Sequence, residues 1–151
     1  MLVRIAVKED CNDIFKWRND KYSVKMFRNA KPVTLQEHKR WFNKILLNNT
    51  NKYLFICLNK KNEKIGVVRF DIKNNDAEIS INIAPEMRGK GLGTKCLIET
   101  IIYSQKHLSN VAFLIAKIKN INKASQKIFL SAGFNLIDEV DDYLIYRRKF
   151  S

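Results

Sequence analysis

The chain opens on an alternation of apolar and polar positions. In "LVRIAV", Leu2, Arg4 and Ala6 fall on one side of an extended segment and Val3, Ile5 and Val7 on the other, the two-residue period of a half-buried strand. The period then lengthens. Asp10 can cap a helix that carries Ile14, Phe15 and Trp17 and ends near "RND". Thr34 and Glu37 make a capping box ahead of His38, Trp41, Phe42, Ile45 and Leu46, whose three-to-four spacing predicts a second helix to about Leu47. Strand patterns return in "YLFICL" (Tyr53 to Leu58) and "KIGVVRFDI" (Lys64 to Ile72), which flank the turn-like "NKKNE", and "KNNDA" turns the chain into "EISINIA". In that third strand of the meander Glu78, Ser80 and Asn82 share one face, and Ile79, Ile81 and Ile83 share the other. Leu97, Ile98, Ile101 and Ile102 mark the next helix, Val111 to Ile118 a buried strand, Asn122 to Ala132 a further helix, and Gly133 its stop. "FNLIDEV" and "DYLIYRRKF" predict a closing hairpin. The order β, α, α, β, β, β, α, β, α, β, β predicts one α+β domain over residues 1–151, a mixed sheet layered with helices.

Composition changes this picture little. With 151 residues, 46% of them hydrophobic and 28% charged, the chain can bury a core without disulfides or metal. "MLVRIAVKEDCND" lacks the basic and apolar regions of a leader, and no apolar run approaches the roughly 20 residues that span a bilayer, so a cytoplasmic protein without a membrane partner is expected. Cys11, Cys57 and Cys96 agree, being odd in number, widely spaced and without a CxxC or Cys/His pairing. His38 and His107 stand far apart, and no metal is expected.

Charge does narrow the partners. Lys and Arg outnumber Asp and Glu by 28 to 15, a net +13, which favours an anionic partner: nucleic acid, a membrane, or a phosphorylated small molecule. The lysines are scattered, and no RNP-like sheet motif, helix-turn-helix or zinc finger accompanies them. A nucleic-acid-binding module is therefore the remote alternative, and a surface that attracts phosphorylated ligands the preferred reading.

The chemistry-bearing stretch is "IAPEMRGKGLGTKCL". Pro85 ends the strand for want of an N–H, and Gly89, Gly91 and Gly93 let the backbone turn and approach a ligand without Cβ clashes. Their amides, with those of the first helical turn near Thr94, form an anion cradle at the positive end of a helix dipole. A dinucleotide GxGxxG would need glycine at Thr94, and a GxxxxGK[ST] loop would need a longer gap. The stretch reads instead as RxxGxG, through Arg88, Gly91 and Gly93. It resembles the Q/RxxGxG/A signature of the GNAT superfamily of acyl-CoA-dependent N-acetyltransferases. "NKASQKIFLSAGF" resembles that family's NxxAxxLYxxxGF through Asn122, Ser125, Ile128, Phe129, Gly133 and Phe134.

The resemblance implies a mostly antiparallel sheet of about seven strands flanked by about four helices, and acetyl-CoA as acyl donor. It also implies that the amides of Arg88, Gly89, Lys90, Gly91, Leu92, Gly93 and Thr94 hold the pyrophosphate, and that the backbone of Ile81 and Ile83 pairs with pantetheine. Asn122 would bond the pantetheine arm, and Ser125 and Phe129 would line the cofactor face of the last helix. N-acetyl transfer needs a neutral amine, a polarised carbonyl and a proton for the departing thiolate. Glu78 is the candidate base, since some histone-acetylating relatives carry a glutamate there. The usual tyrosine donor is replaced by Phe129, which leaves Ser125, Tyr103 or water.

The acceptor is expected among "WRND", "KMFRN" and "EHKRWF", with Arg18, Asn19, His38, Trp41 and Glu78 as candidate contacts. That pattern, followed by "IGVVRFD" and "AEISI", resembles the nucleotide-sugar N-acetyltransferases of the pseudaminic-acid pathways, which implies the 4-amino group of a UDP-linked amino-dideoxy sugar. The alternatives are a ribosomal-protein-type N-terminal acetyltransferase and a small-molecule amine acetyltransferase. Polyamines are disfavoured by the charge. A monomer or a homodimer fits either reading.

Overall fold

A computed structural model describes residues 1–47 and 51–151, and among these the alternations become seven strands and the longer periods five helices. Strands β1 (Leu2–Ile5), β2 (Lys52–Leu58), β3 (Lys64–Lys73), β4 (Asp76–Ile83), β5 (Phe113–Lys119), β6 (Asn135–Val140) and β7 (Tyr143–Lys149) form one sheet in the order β1-β2-β3-β4-β5-β7-β6. Every pairing is antiparallel except β4 with β5. The helices are α1 (Cys11–Asn19), α2 (Lys21–Met26), α3 (Leu35–Leu46), α4 (Leu92–Ser104) and α5 (Lys123–Ser131).

Helix α2 departs from the sequence expectation of about four helices. Asp20 caps it by accepting the Ser23 amide, yet of its six residues only Ser23 is buried, so no apolar stripe announces it. The capping box at Thr34 is half present: its hydroxyl accepts the Glu37 amide at 3.2 Å and opens α3.

The two faces of the sheet carry separate apolar layers. Phe55, Phe70, Ile79 and Leu114 pack with Leu97 and Ile101 of α4 and Phe129 of α5. Leu54, Ile56 and Val67 pack with Ile14 and Trp17 of α1 and with Phe42 and Ile45 of α3. The period of β4 is thereby used on both sides: Ala77 and Ile79 enter the first layer, while on the other face Asn82 meets Ser23 of α2 and Glu78 meets Arg28 just beyond it.

Two cross-links lie outside what spacing predicts. Cys57 of β2 and Cys96 of α4 pair as a disulfide with Cα atoms 6.0 Å apart, although 39 residues separate them and no sequence motif joins them. Cys11 remains a free thiol, and burial pushes its pKa up. Asp10, read above as a helix cap, makes no such bond; its buried carboxylate instead accepts from Arg4 at 2.6 and 2.9 Å, from the Val7 amide at 2.8 Å, and from Lys64 at 2.8 Å. It ties β1, the turn before α1, and β3 into one unit.

Candidate active site

The parallel pair opens a wedge. Strands β4 and β5 are in register only at Asp76↔Phe113, Ala77↔Leu114 and Glu78↔Ile115, while β4 runs on to Ile83 and β5 to Lys119. Ile81 and Ile83, half-buried, lie on the β4 bank of this gap, where an extended ligand could take the missing strand's place. Helices α4 and α5 rise from its two banks.

The loop before α4 separates the roles of its glycines. Gly89 and Gly91 have φ of 73° and 70°, with open space where a Cβ would stand, so they give a left-handed backbone and a bare surface at the helix start. Gly93 serves packing: a Cβ there would run into Ile128 of α5. The three were expected to act alike, and only two face outward. A bare turn at a helix start has the character of an anion cradle, although the Arg88 amide is already bonded to the Pro85 carbonyl at 3.3 Å and so does not point into it as expected. The Arg88 side chain turns away from it. Its Nε donates to the Ile83 carbonyl at 3.0 Å, Nη1 to Asp20 at 2.7 Å and Nη2 to the Ser23 hydroxyl at 2.8 Å.

On the other bank Asn122 caps α5, its Oδ1 accepting the Ser125 amide at 3.2 Å. The same oxygen accepts the Tyr22 hydroxyl at 3.1 Å. Ser125 is half-buried beside this pair. Phe129 corrects an expectation, because it does not line a cofactor face; it is 2% exposed and meets Phe134 edge-on at 4.9 Å in the core. Tyr103 packs on Phe55 and His107 toward the far end of α4, about 16 Å along that helix from the cradle. Neither ring is placed to reach the wedge. Phe129→Tyr is accordingly expected to bring a hydroxyl into this core and cost about 1–2 kcal/mol in urea unfolding. Unchanged stability would show that the ring has access to the wedge.

The open face of β3 and β4 is rich in cations. Glu78 accepts Arg28 at 3.1 Å and has Lys117 at 3.9 Å. The Trp41 ring lies under two guanidiniums, Arg18 at 4.8 Å and Arg69 at 5.7 Å from its centroid. Arg69 is held by Asp71 through bonds of 2.9 and 2.5 Å. Burial, then the neighbouring Arg69 charge, lowers the Arg18 pKa, whereas Glu37 opposes the shift.

Two of the predicted acceptor residues have structural tasks instead. Asn19 clamps Val33, donating to its carbonyl at 2.7 Å and accepting its amide at 2.9 Å. His38 is 0% exposed among Phe15, Trp41 and Phe42, and its Nε2 lies 2.9 Å from the Cys11 carbonyl. Since a carbonyl only accepts, Nε2 carries the proton. Burial lowers its pKa and keeps the ring neutral. Sequence reasoning passed over Tyr22, Ser23 and Lys117 at this site. Only the odd-numbered alternation of Ile115, Lys117 and Lys119 on β5 carried a trace of it.

Among the described residues no group of three or more metal-ligating side chains comes together, and no helix is long and apolar enough to cross a membrane.

Comparison with known proteins gives this geometry a frame. A family model described as an acetyltransferase (GNAT) domain matches residues 1–135. No curated protein matches the chain. Among solved structures, a domain from Methanocaldococcus jannaschii is similar with a TM-score of 0.82 at 24% identity, over 98% of this chain and 97% of that one. The spermidine N-acetyltransferase of Vibrio cholerae in complex with CoA and spermine is similar with a TM-score of 0.80 at 20% identity, over 97% and 92%. A ribosomal-protein-alanine N-acetyltransferase from Brucella melitensis has a TM-score of 0.79 at 20% identity, over 99% of both chains.

Proposed function

The chain belongs to the GNAT acetyltransferase family, so it is an acetyl-CoA-dependent N-acetyltransferase, and from that premise we propose that its acceptor amine is carried by an anionic nucleotide sugar. The observation that carries this reading is the pair of guanidiniums, Arg18 and Arg69, on the Trp41 ring. A flat aromatic surface flanked by cations suits a base or sugar ring joined to phosphates. Arg28, Lys117 and Lys119 extend the positive field along the same side of the sheet, which disfavours polycationic acceptors.

In this reading the amides 89–94 hold the pyrophosphate of the donor, and the edge at Ile81 and Ile83 pairs with its pantetheine arm. Acetyl-CoA supplies an activated acyl group, and the chain supplies position and proton transfer. Glu78 is the proposed base, acting through water because Arg28 and Lys117 flank its carboxylate. Arg18 and Trp41 hold the acceptor; Asn19 and His38 keep α1 and α3 in place beneath it.

The test is release of CoA thiol with a UDP-4-amino-dideoxy sugar, N-terminal peptides or spermidine as alternative acceptors. Turnover with the sugar alone is expected. Turnover with peptides or spermidine alone would overturn the acceptor while leaving the acyl-transfer reaction in place.

A further inference from the structure

Helix α2 crosses the wedge by polar contacts to both banks. The Ser23 hydroxyl donates to Asn82 Oδ1 of β4 at 3.0 Å, Lys119 of β5 donates to the Lys25 carbonyl at 3.1 Å, and the Tyr22 hydroxyl reaches Asn122 at the start of α5. Arg88 lies over the Tyr22 ring at 5.0 Å and fixes its direction. Tyr22 is 41% exposed, and its hydroxyl reaches Asn122, which follows β5 on the bank facing the unpaired stretch of β4. Phe129 has no proton to give, and Tyr103 faces elsewhere.

We propose that Tyr22 is the proton donor to the departing thiolate, supplied from the α2 crossing rather than from α5. The inference rests on the acyl-transfer reaction and is independent of which acceptor is used. As the acceptor nitrogen bonds to the acyl carbon, the carbon–sulfur bond breaks with its electron pair on sulfur, and the phenolic proton passes to sulfur. Glu78, through water, takes the first proton of the ammonium to give the neutral amine, and the phenolate recovers the second as that nitrogen becomes an amide. A phenol carries one proton, so its bond to Asn122 is released in this step. Asn122 keeps the Ser125 amide, and α5 stays capped.

The decisive measurement needs no acceptor. The thiol of bound CoA is titrated by the ultraviolet absorbance of its thiolate in the wild-type protein, in Tyr22→Phe and in Tyr143→Phe, a control at the end of β7 opposite Lys119. A hydrogen bond from Tyr22 favours the thiolate, so the thiol is expected to titrate about one unit higher in Tyr22→Phe and unchanged in Tyr143→Phe. With any acceptor that turns over, kcat is expected to fall about 100-fold in Tyr22→Phe, with the KM for acetyl-CoA nearly unchanged. An unshifted thiol in Tyr22→Phe overturns the proposal, even if stability or CoA affinity falls, since that pattern marks a structural residue. A shift in Tyr143→Phe alone assigns the proton to the other phenol and overturns it equally.

Discussion

Gly66→Ala is expected to cost about 3 kcal/mol of stability, at the upper end of what an overpacked site normally loses. The Cβ it adds would stand 2.5 Å from the Asn82 carbonyl oxygen and 3.0 Å from the Ile83 Cα, both backbone atoms of the neighbouring strand. A side chain could rotate away, but a paired backbone cannot, so β3 and β4 must part where Gly66 opposes Ile83. The damage is directed at function as well. Ile83 leads toward the glycine loop proposed to hold the cofactor, and its carbonyl holds Arg88, which in turn holds Asp20 and Ser23. Urea unfolding would register the stability loss, and a reduced thermal shift on adding acetyl-CoA the displaced cradle. A variant as stable as the wild type would show that the strands have slack at this crossing.

Asp10→Ala should lose a similar amount, about 3 kcal/mol at neutral pH, because Arg4, Lys64 and the Val7 amide all lose their shared acceptor. The loss carries a pH signature. Burial alone would raise the Asp10 pKa, and the hydrogen bonds from Arg4, Lys64 and Val7 outweigh it and hold the carboxyl at about 2. A group whose folded pKa is depressed stabilises the fold above its unfolded pKa, here 3.8, and loses that contribution as pH falls through the folded value. The gap between wild type and Asp10→Ala should be full at pH 7 and close between about pH 4 and pH 2. His38 titrates in a higher window: its burial-lowered pKa makes the fold lose stability as pH drops below the ordinary 6.5, in both proteins alike. Unfolding curves at a series of pH values separate the two, and a gap constant down to pH 2 would remove the ion network from the account.

Much of the site was readable from local pattern. RxxGxG predicted a glycine turn into a helix at Arg88 to Gly93, and the turn is there, left-handed at Gly89 and Gly91. The alternation of Glu78, Ser80 and Asn82 put polar groups on one face of β4, and there Asn82 meets Ser23 of α2 and Glu78 meets Arg28. His38 and Asn19 were misread for a physical reason. A histidine or asparagine looks the same in sequence whether its polar atoms meet a ligand or a backbone carbonyl, and only the packing of α1 against α3 and of Val33 against Asn19 decides. Phe129 shows the converse, since a residue at the family's catalytic position was expected to face the cofactor and instead completes the core.

By itself the sequence determined the quantities set by near neighbours along the chain: the periods of strands and helices, the cap at Thr34, and a glycine loop that points to acetyl-CoA. The tertiary structure alone decided what depends on long chain separations. It brought Cys57 to Cys96 and Lys64 to Asp10, set Arg18 and Arg69 on Trp41, and carried Tyr22 to Asn122. The reason is that periodicity reports which side of an element is buried, whereas these contacts depend on which elements lie side by side. That choice is made by the sheet order and by the three-residue register that lets β4 and β5 diverge.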